Sequence, residues 1–337
     1  MHLGRKILTL MLLGLGMNFI GVQTAEAQSK KTVVQSKKSK KTVRKKTSKV
    51  ITKKVKRNSV STKRRANTTR RTTTRKTTNG TRARASYVPA SNVIYSVYDL
   101  TNSKYLEKNR INSTHSIASL TKLMSSYVFL KNTPSLDNCN VQITEDDRDL
   151  LKNTRSSLPR NRDINCKKIL EATLALSDNY AASSLSRHVP SLSRSDFINK
   201  MNEQARKWNM NNTYFADPSG LNPDNKSTAN DLTKFLSKIV DTKEFKLIDS
   251  LSTSKSFLLP TGGKPRTYSN TNRLIREEKF DAMLSKTGFI NESGYNLMFM
   301  PKHCAGDKQL ALVIMGERSS YNRSSLATQL LNKYQCK

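Results

Sequence analysis

The segment Asp281–Lys302, DAMLSKTGFINESGYNLMFMPK, sets the architecture. It holds two runs rich in hydrophobic and aromatic residues, DAMLSKTGF and YNLMFMPK. Between them, Asn291-Glu-Ser-Gly294 has the composition of a turn. A third run, QLALVIMGE (Gln309–Glu317), follows closely, so three consecutive strands are expected. A further strand, NVIYSVYDL (Asn92–Leu100), lies far upstream, with a short companion near Lys104–Glu107.

The interval between these strands reads as mostly helical. Leu120, Leu123, Met124, Tyr127 and Val128 recur at the spacing of one helix face. Lys167–Leu176 reads as a second helical stretch, ending at Ser177, and Ser195–Trp208 as a third. DPSGLNPDN (Asp217–Asn225) is a turn-rich loop, and STANDLTKFLSKIV after it is a helix. SSLATQLLNKY (Ser324–Tyr334) closes the chain as an amphipathic helix. Strands at both ends with helices between indicate one α/β domain whose sheet is assembled from distant segments.

Charge divides the chain. Of its 60 Lys and Arg, 23 fall in residues 28–86, which hold no acid, no aromatic, no proline and one glycine, Gly80. Such a segment repels itself and has too little apolar surface to offset its ordering entropy, so a disordered basic tail is expected there. Residues 1–27 read as a signal peptide. Arg5 and Lys6 precede an apolar run from Ile7 to Val22, and Ala25-Glu-Ala27 offers a cleavage site. The run is shorter than the roughly 20 residues of a membrane span, and no cysteine near it suggests a lipid anchor. The folded domain is expected over residues 87–337.

Four cysteines, Cys139, Cys166, Cys304 and Cys336, fit an exported chain with disulfides. Three connectivities are possible, and the sequence-local one, Cys139–Cys166 with Cys304–Cys336, is expected. There is no Cys-x-x-Cys, and His303-Cys304 has no spaced partner pair, so no metal site is expected. His115 and His188 also lack partner patterns. Trp208 reads as core.

Three short patterns occur in order: Ser119-Leu-Thr-Lys122 opening a helix, Ser177-Asp178-Asn179 ending one, and Lys286-Thr287-Gly288 on a strand. Each alone is common. Ser-x-x-Lys recurs at Ser252–Lys255, in a polar stretch read as having no helix face behind it, and Ser-x-Asn recurs at Ser320–Asn322. The three in this order carry chemistry. Ser119 needs a proton acceptor, and Lys122 lies one helical turn away on the same face. A free lysine is protonated at neutral pH, but burial and a second cation, Lys286, push its pKa down. The Ser177 hydroxyl, brought to the same site, can relay a proton. Asn179 can orient Lys122 and hold a substrate carbonyl. Lys286 and Thr287 can bind a carboxylate, and Gly288 permits close backbone approach. Asp178 reads as a helix-end hydrogen-bond acceptor.

With these motifs the sequence resembles the penicillin-binding protein and serine β-lactamase superfamily. The flanks LSDNYAASSL, FINKMNEQARKWNM, TYFADPSGL, STANDL and SNTNRL resemble the low-molecular-weight D-alanyl-D-alanine peptidases over roughly residues 90–335. The resemblance implies a β-lactamase/transpeptidase-like fold: an antiparallel sheet flanked by helices, an all-helical subdomain, and the active site between them. It implies Ser119 as nucleophile, Lys122 and Ser177 as its catalytic partners, and no cofactor. Asn179, Lys286, Thr287 and Gly288 would bind substrate, and the backbone N–H groups of Ser119 and Phe289 would form an oxyanion hole.

Within the family, no Glu-x-x-Leu-Asn segment follows the middle motif, unlike class A β-lactamases. The chain ends about 49 residues after Lys-Thr-Gly, without room for the C-terminal β domain and amphipathic helix of carboxypeptidases. Phe289 stands where those often carry histidine. These features resemble the soluble D,D-endopeptidase branch, which cuts D-alanyl-meso-diaminopimelate cross-links. A carboxypeptidase is the alternative, then a β-lactamase or a non-catalytic cationic envelope-binding protein. The implied partners are peptidoglycan stem peptides and β-lactam antibiotics, in the periplasm. The basic tail suits anionic envelope polymers or a membrane surface, and export argues against nucleic acid.

Overall fold

The computed structural model describes Tyr87 and residues 89–337; the expected signal peptide and basic tail lie outside the described residues. Five antiparallel strands form one sheet: β1 (Ile94–Asp99), β2 (Lys104–Asn109), β3 (Ala282–Ile290), β4 (Gly294–Pro301) and β5 (Leu310–Glu317), in the order β2-β1-β5-β4-β3. The sheet is therefore assembled from both ends of the domain, as the sequence indicates. The turn at Asn291–Gly294 joins β3 to β4, pairing Gly294 with Ile290 and Met298 with Lys286.

The run LALVIMGE in β5 is apolar at successive positions because both faces of this central strand are covered. Ala311, Val313 and Met315 face one core, and Leu310, Leu312 and Ile314 face another. Fully burying a Leu, Val or Ile side chain contributes about 1.5–3 kcal/mol, so β5 is a main stabilising element.

The larger core is shared with the helical part. It is built by α1 (Thr121–Asn132), α2 (Cys166–Glu171), α3 (Asn179–Leu185), α4 (Arg194–Lys207), α5 (Ala229–Ile239) and α6 (Phe245–Ser252). The smaller core lies under the short turn α7 (Arg273–Arg276) and the closing helix α8 (Ser320–Lys333), which begins four residues earlier than its apolar pattern suggests. Ser319 caps α8 by accepting from Asn322 N, so Ser320-Tyr-Asn322 is a helix start.

Four elements escape the sequence pattern. α3 is only about two turns, with small residues at four of its seven positions. α6 carries an apolar face in a segment read as polar. The paired strands Ser256–Leu259 and Arg266–Ser269 are largely exposed. Trp208 is half-buried at the end of α4, wedged between the rings of Tyr127 and Phe235. Disulfides join Cys139 to Cys166 and Cys304 to Cys336, the sequence-local pairing. Among the described residues, no helix is long and apolar enough to cross a membrane.

Candidate active site

Ser119 sits in a tight turn, Ala118–Leu120, that runs directly into α1. Ala118 adopts φ 47, a left-handed conformation that L residues rarely take. The strain is held by Gly220, whose own φ is +82 and whose missing side chain leaves room for the Ala118 carbonyl. This turn lifts Ser119 out of the core while Lys122, one turn on, is fully buried beneath it.

The Lys122 amine has three neighbours. It lies 2.8 Å from Ser119 Oγ, 2.7 Å from Asn179 Oδ1 and 2.5 Å from Ser219 O. The last two are pure acceptors, so they fix two N–H bonds. The third direction faces a hydroxyl that can accept or donate. Loss of a proton from Lys122 therefore changes only the Ser119 contact, turning the amine into an acceptor of the serine proton. Burial pulls the Lys122 pKa down from 10.5 to about 8, against the opposing charges of Asp217, Asp178 and Asp149.

The Ser219 carbonyl is delivered by the turn-rich loop. Asp217 accepts from Ser219 N, Ser219 Oγ, Gly220 N, Asn222 N and Asn225 Nδ2, all within 2.8 Å. The composition of Asp217–Asn225 signals a turn, but nothing in it announces that a main-chain oxygen would meet Lys122.

Asn179 is oriented from its other end. Its Nδ2 donates to Thr154 Oγ1 at 2.9 Å. Thr154 has one hydroxyl proton, and that proton goes to Asp149 Oδ2 at 2.6 Å. The Thr154 oxygen can then only accept from Asn179, which turns the amide oxygen toward Lys122. Asp149 also accepts from the backbone N–H groups of Leu151, Lys152 and Thr154. Although burial raises its pKa, these donors outweigh it and hold the carboxyl below the usual range. Thr154→Val keeps the shape and removes the acceptor, so acylation is expected to slow about five- to tenfold, roughly one hydrogen bond. Thr154→Ser should retain the rate. Equal acylation rates for the valine and wild-type proteins, measured by stopped-flow, would refute this role.

Ser177 follows a five-residue π-helical turn, Ala172–Leu176, and has φ 63. The middle motif is thus a break between two helices: Asp178 caps α3 by accepting from Ala181 N at 2.9 Å. Lys286, on β3, donates to Ser177 Oγ at 2.9 Å and to Thr287 O at 2.9 Å. Thr287 Oγ1 lies 2.8 Å from Thr271 Oγ1, and Thr271 N donates to Ala175 O. The segment around Thr271 therefore ties the edge strand to the π-turn that presents Ser177.

Of the two causes the sequence suggests for a lowered Lys122, burial and the Lys286 charge, burial is the one that acts at Lys122. At Lys286, burial, then the charge of Lys122, then that of Arg323 lower the pKa well below 10.5. Arg323 carries no sequence signal. It is 5% exposed, its Nε has no partner, and no carboxylate among the described residues pairs with it. Its Nη1 reaches Asn296 O at 3.4 Å, and burial brings its pKa to about 10.

β3 is an edge strand, and Gly288 lets it close on the serine turn. A Cβ there would lie 3.0 Å from Ile117 O and 3.2 Å from Ser119 N. The backbone of Gly288–Phe289 therefore runs beside the first turn of the helix, where N–H groups lack helical partners. The Phe289 ring is 46% exposed and stacks on Tyr295 at 4.3 Å. Lys152, from the loop that holds Asn179, pairs with Glu292 in the β3–β4 turn.

Ser252 and Lys255 stay outside the site, for a different reason than expected. Ser252 does end an amphipathic helix, α6, but its buried hydroxyl accepts from Ser285 N, while Lys255 pairs with Glu278. His115 meets Ser293 O and His188 meets Ser184 O, both structural contacts; His303 is exposed. Among the described residues, no cluster of three or more His, Cys, Asp or Glu could hold a metal.

A family model described as D-alanyl-D-alanine carboxypeptidase matches residues 79–319. The chain is 42% identical to the D-alanyl-D-alanine endopeptidase of Haemophilus influenzae over 243 residues, 72% of this chain and 81% of that one. It is 35% identical to the D-alanyl-D-alanine endopeptidase of Escherichia coli, over 69% of this chain and 74% of that one. Among solved structures, the Streptomyces K15 DD-transpeptidase superposes with a TM-score of 0.63 at 25% identity, covering 71% of this chain and 94% of that one.

Proposed function

The chain belongs to the D-alanyl-D-alanine carboxypeptidase family and is a serine D,D-peptidase, and from that premise we propose that it is an endopeptidase cutting D-alanyl-diaminopimelate cross-links through an acyl-enzyme on Ser119. The observation that carries the mechanism is the buried Lys122 amine, with two fixed acceptors and its third face on Ser119 Oγ. Support for the bond comes from the relatives named endopeptidase.

In this reading, Ser119 Oγ attacks the D-alanyl carbonyl carbon as its proton passes to neutral Lys122. The oxyanion is held by the N–H groups of Ser119 and Phe289. Asn179 Nδ2 and the β3 edge hold the peptide. As the C–N bond breaks, Ser177 passes a proton to the departing amine, its hydroxyl backed by Lys286. Lys286, Thr287 and the buried guanidinium of Arg323, which pairs with no carboxylate among the described residues, attract the carboxylate beside that amine. Water then releases the acyl group. Penicillin, which carries a carboxylate at the matching position, would acylate Ser119 and remain there.

The expected leader and basic tail complete the proposal: export to the periplasm, with residues 28–86 contacting anionic envelope polymers or the membrane surface. One comparison tests both parts. Purified cross-linked muropeptide dimers and pentapeptide monomers are digested side by side, with and without residues 28–86. Cleavage of dimers at the cross-link is expected, and trimming of monomers alone would make it a carboxypeptidase. Removing the tail should leave dimer turnover intact and weaken retention on isolated envelope in a salt-dependent way; equal retention at low salt would refute the tail's role.

A further inference from the structure

Ser177 and Asn179 also line a recess of about 400 Å³. Arg155, Ser156 and Ser157 form one wall, just after the Thr154 that orients Asn179. Leu176 and Asp178 line it as well, with Tyr268 from the strand Arg266–Ser269. Tyr268 Oη donates to Ser157 Oγ at 2.7 Å, joining two walls that are 111 residues apart. The Ser156 hydroxyl is committed to Asp178 Oδ2 at 2.7 Å, and Asp178 also accepts from Ala181 N, so the carboxylate in the lining is occupied. Arg155 is exposed and pairs with no carboxylate among the described residues. It is the free charge that this recess offers.

The position of the recess gives it a use. Ser177, where the departing nitrogen takes up its proton, lines the recess together with Asn179. Tyr268 lies three residues before Thr271, which meets Thr287 on the carboxylate side, so the recess is assigned to the departing half of the substrate. A terminal D-alanine leaves as one residue, and its carboxylate is met by Lys286 and Thr287. A cross-link releases a whole peptide arm, which needs room past that carboxylate and carries further acidic groups.

We propose that this recess is the subsite for the departing peptide arm, and that Arg155 holds a free carboxylate on it. The inference rests on the endopeptidase reading and adds the feature that would favour dimers over monomers. Arg155 makes its contact away from the reacting bond, so it acts on substrate binding, through KM more than kcat.

The test compares full-length wild-type, Arg155→Ala and Arg155→Lys proteins on two substrates. One is a cross-linked muropeptide dimer. The other is a labelled penicillin, which has no departing arm. The readout is the ratio of dimer kcat/KM to penicillin acylation rate. Arg155→Ala is expected to lower this ratio on the order of tenfold, as for one charge-assisted hydrogen bond at a partly solvated site. Arg155→Lys should recover part of it. Amidating the free carboxylates of the arm should lower the wild-type ratio similarly and leave the alanine variant little further to lose. A ratio within twofold of wild type in Arg155→Ala would overturn the subsite while dimer cleavage keeps the endopeptidase reading. A wild-type protein that trims monomers and leaves dimers whole would overturn both.

Discussion

Lys122→Met is expected to slow acylation of Ser119 by a labelled penicillin by about 10³- to 10⁴-fold, the scale of losing a general base. Methionine matches the length of the lysine stem and suits its buried site. It leaves Asn179 Oδ1 and Ser219 O without their donor, at about 1–3 kcal/mol each. It also removes an amine whose charged form is costly to bury, so the variant is expected to fold, which a thermal melt checks. Ser119→Ala should give no adduct at all. An adduct forming on Lys122→Met within tenfold of the wild-type rate would mean that some other group takes the serine proton.

The same lysine fixes the pH dependence. Its useful form is the neutral amine, which is populated above its pKa. With that pKa at about 8, about one molecule in ten is neutral at pH 7, against roughly three in ten thousand for an ordinary lysine. Acylation should therefore rise with pH between 6 and 8 and level off above. Lys286 acts in the opposite sense, since it attracts a carboxylate only while protonated. Its lowered pKa brings that loss down from the usual lysine range, so kcat/KM against pH should be bell-shaped. The two amines are coupled, and the limbs belong to the pair. A profile flat from pH 6 to 9 would contradict the assignment.

The sequence exposes side chains that recur in a pattern, and these are the ones it made legible. Ser119, Lys122, Ser177, Asn179 and Lys286 converge because two helix starts and one strand fix their positions. β1, β3, β4 and β5 were readable from apolar runs, since strands covered on both faces leave few polar positions. What the pattern hides is main-chain chemistry. The Ser219 carbonyl on Lys122 has no residue code, and neither does the left-handed turn at Ala118, which is imposed by packing against Gly220. Asp149 and Thr154 lie 30 residues or more from Ser119 in an irregular loop, so only the hydrogen bonds reveal that they orient Asn179. Ser252 failed in the other direction. α6 was missed, because eight residues between polar neighbours give a weak periodic signal.

Two glycines should separate folding from positioning. At Gly220 an added Cβ would fall 1.9 Å from Ala118 O and 2.3 Å from Ala118 C, both backbone atoms, at a φ of +82. Neither group can swing aside as a side-chain tip would. Gly220→Ala must therefore displace either the serine turn or the loop that Asp217 holds with five hydrogen bonds. The expected cost is about 3–5 kcal/mol, at the severe end for a single substitution, read as a large fall in melting temperature with loss of acylation. At Gly288 the contacts are 3.0–3.3 Å and the backbone is ordinary strand, so a shift of a few tenths of an ångström relieves them. Gly288→Ala should melt close to wild type. The shift falls on Ile117 O, Ser119 N and Leu120 N, however, and so moves the nucleophile and one oxyanion donor against the β3 edge. Misplacement on that scale costs up to about 10²-fold in rate. The expected signature is thus a folded Gly288→Ala that acylates slowly and a Gly220→Ala that is unstable. If Gly288→Ala acylates at the wild-type rate, close approach at that position is not what sets the distance between the serine turn and the strand.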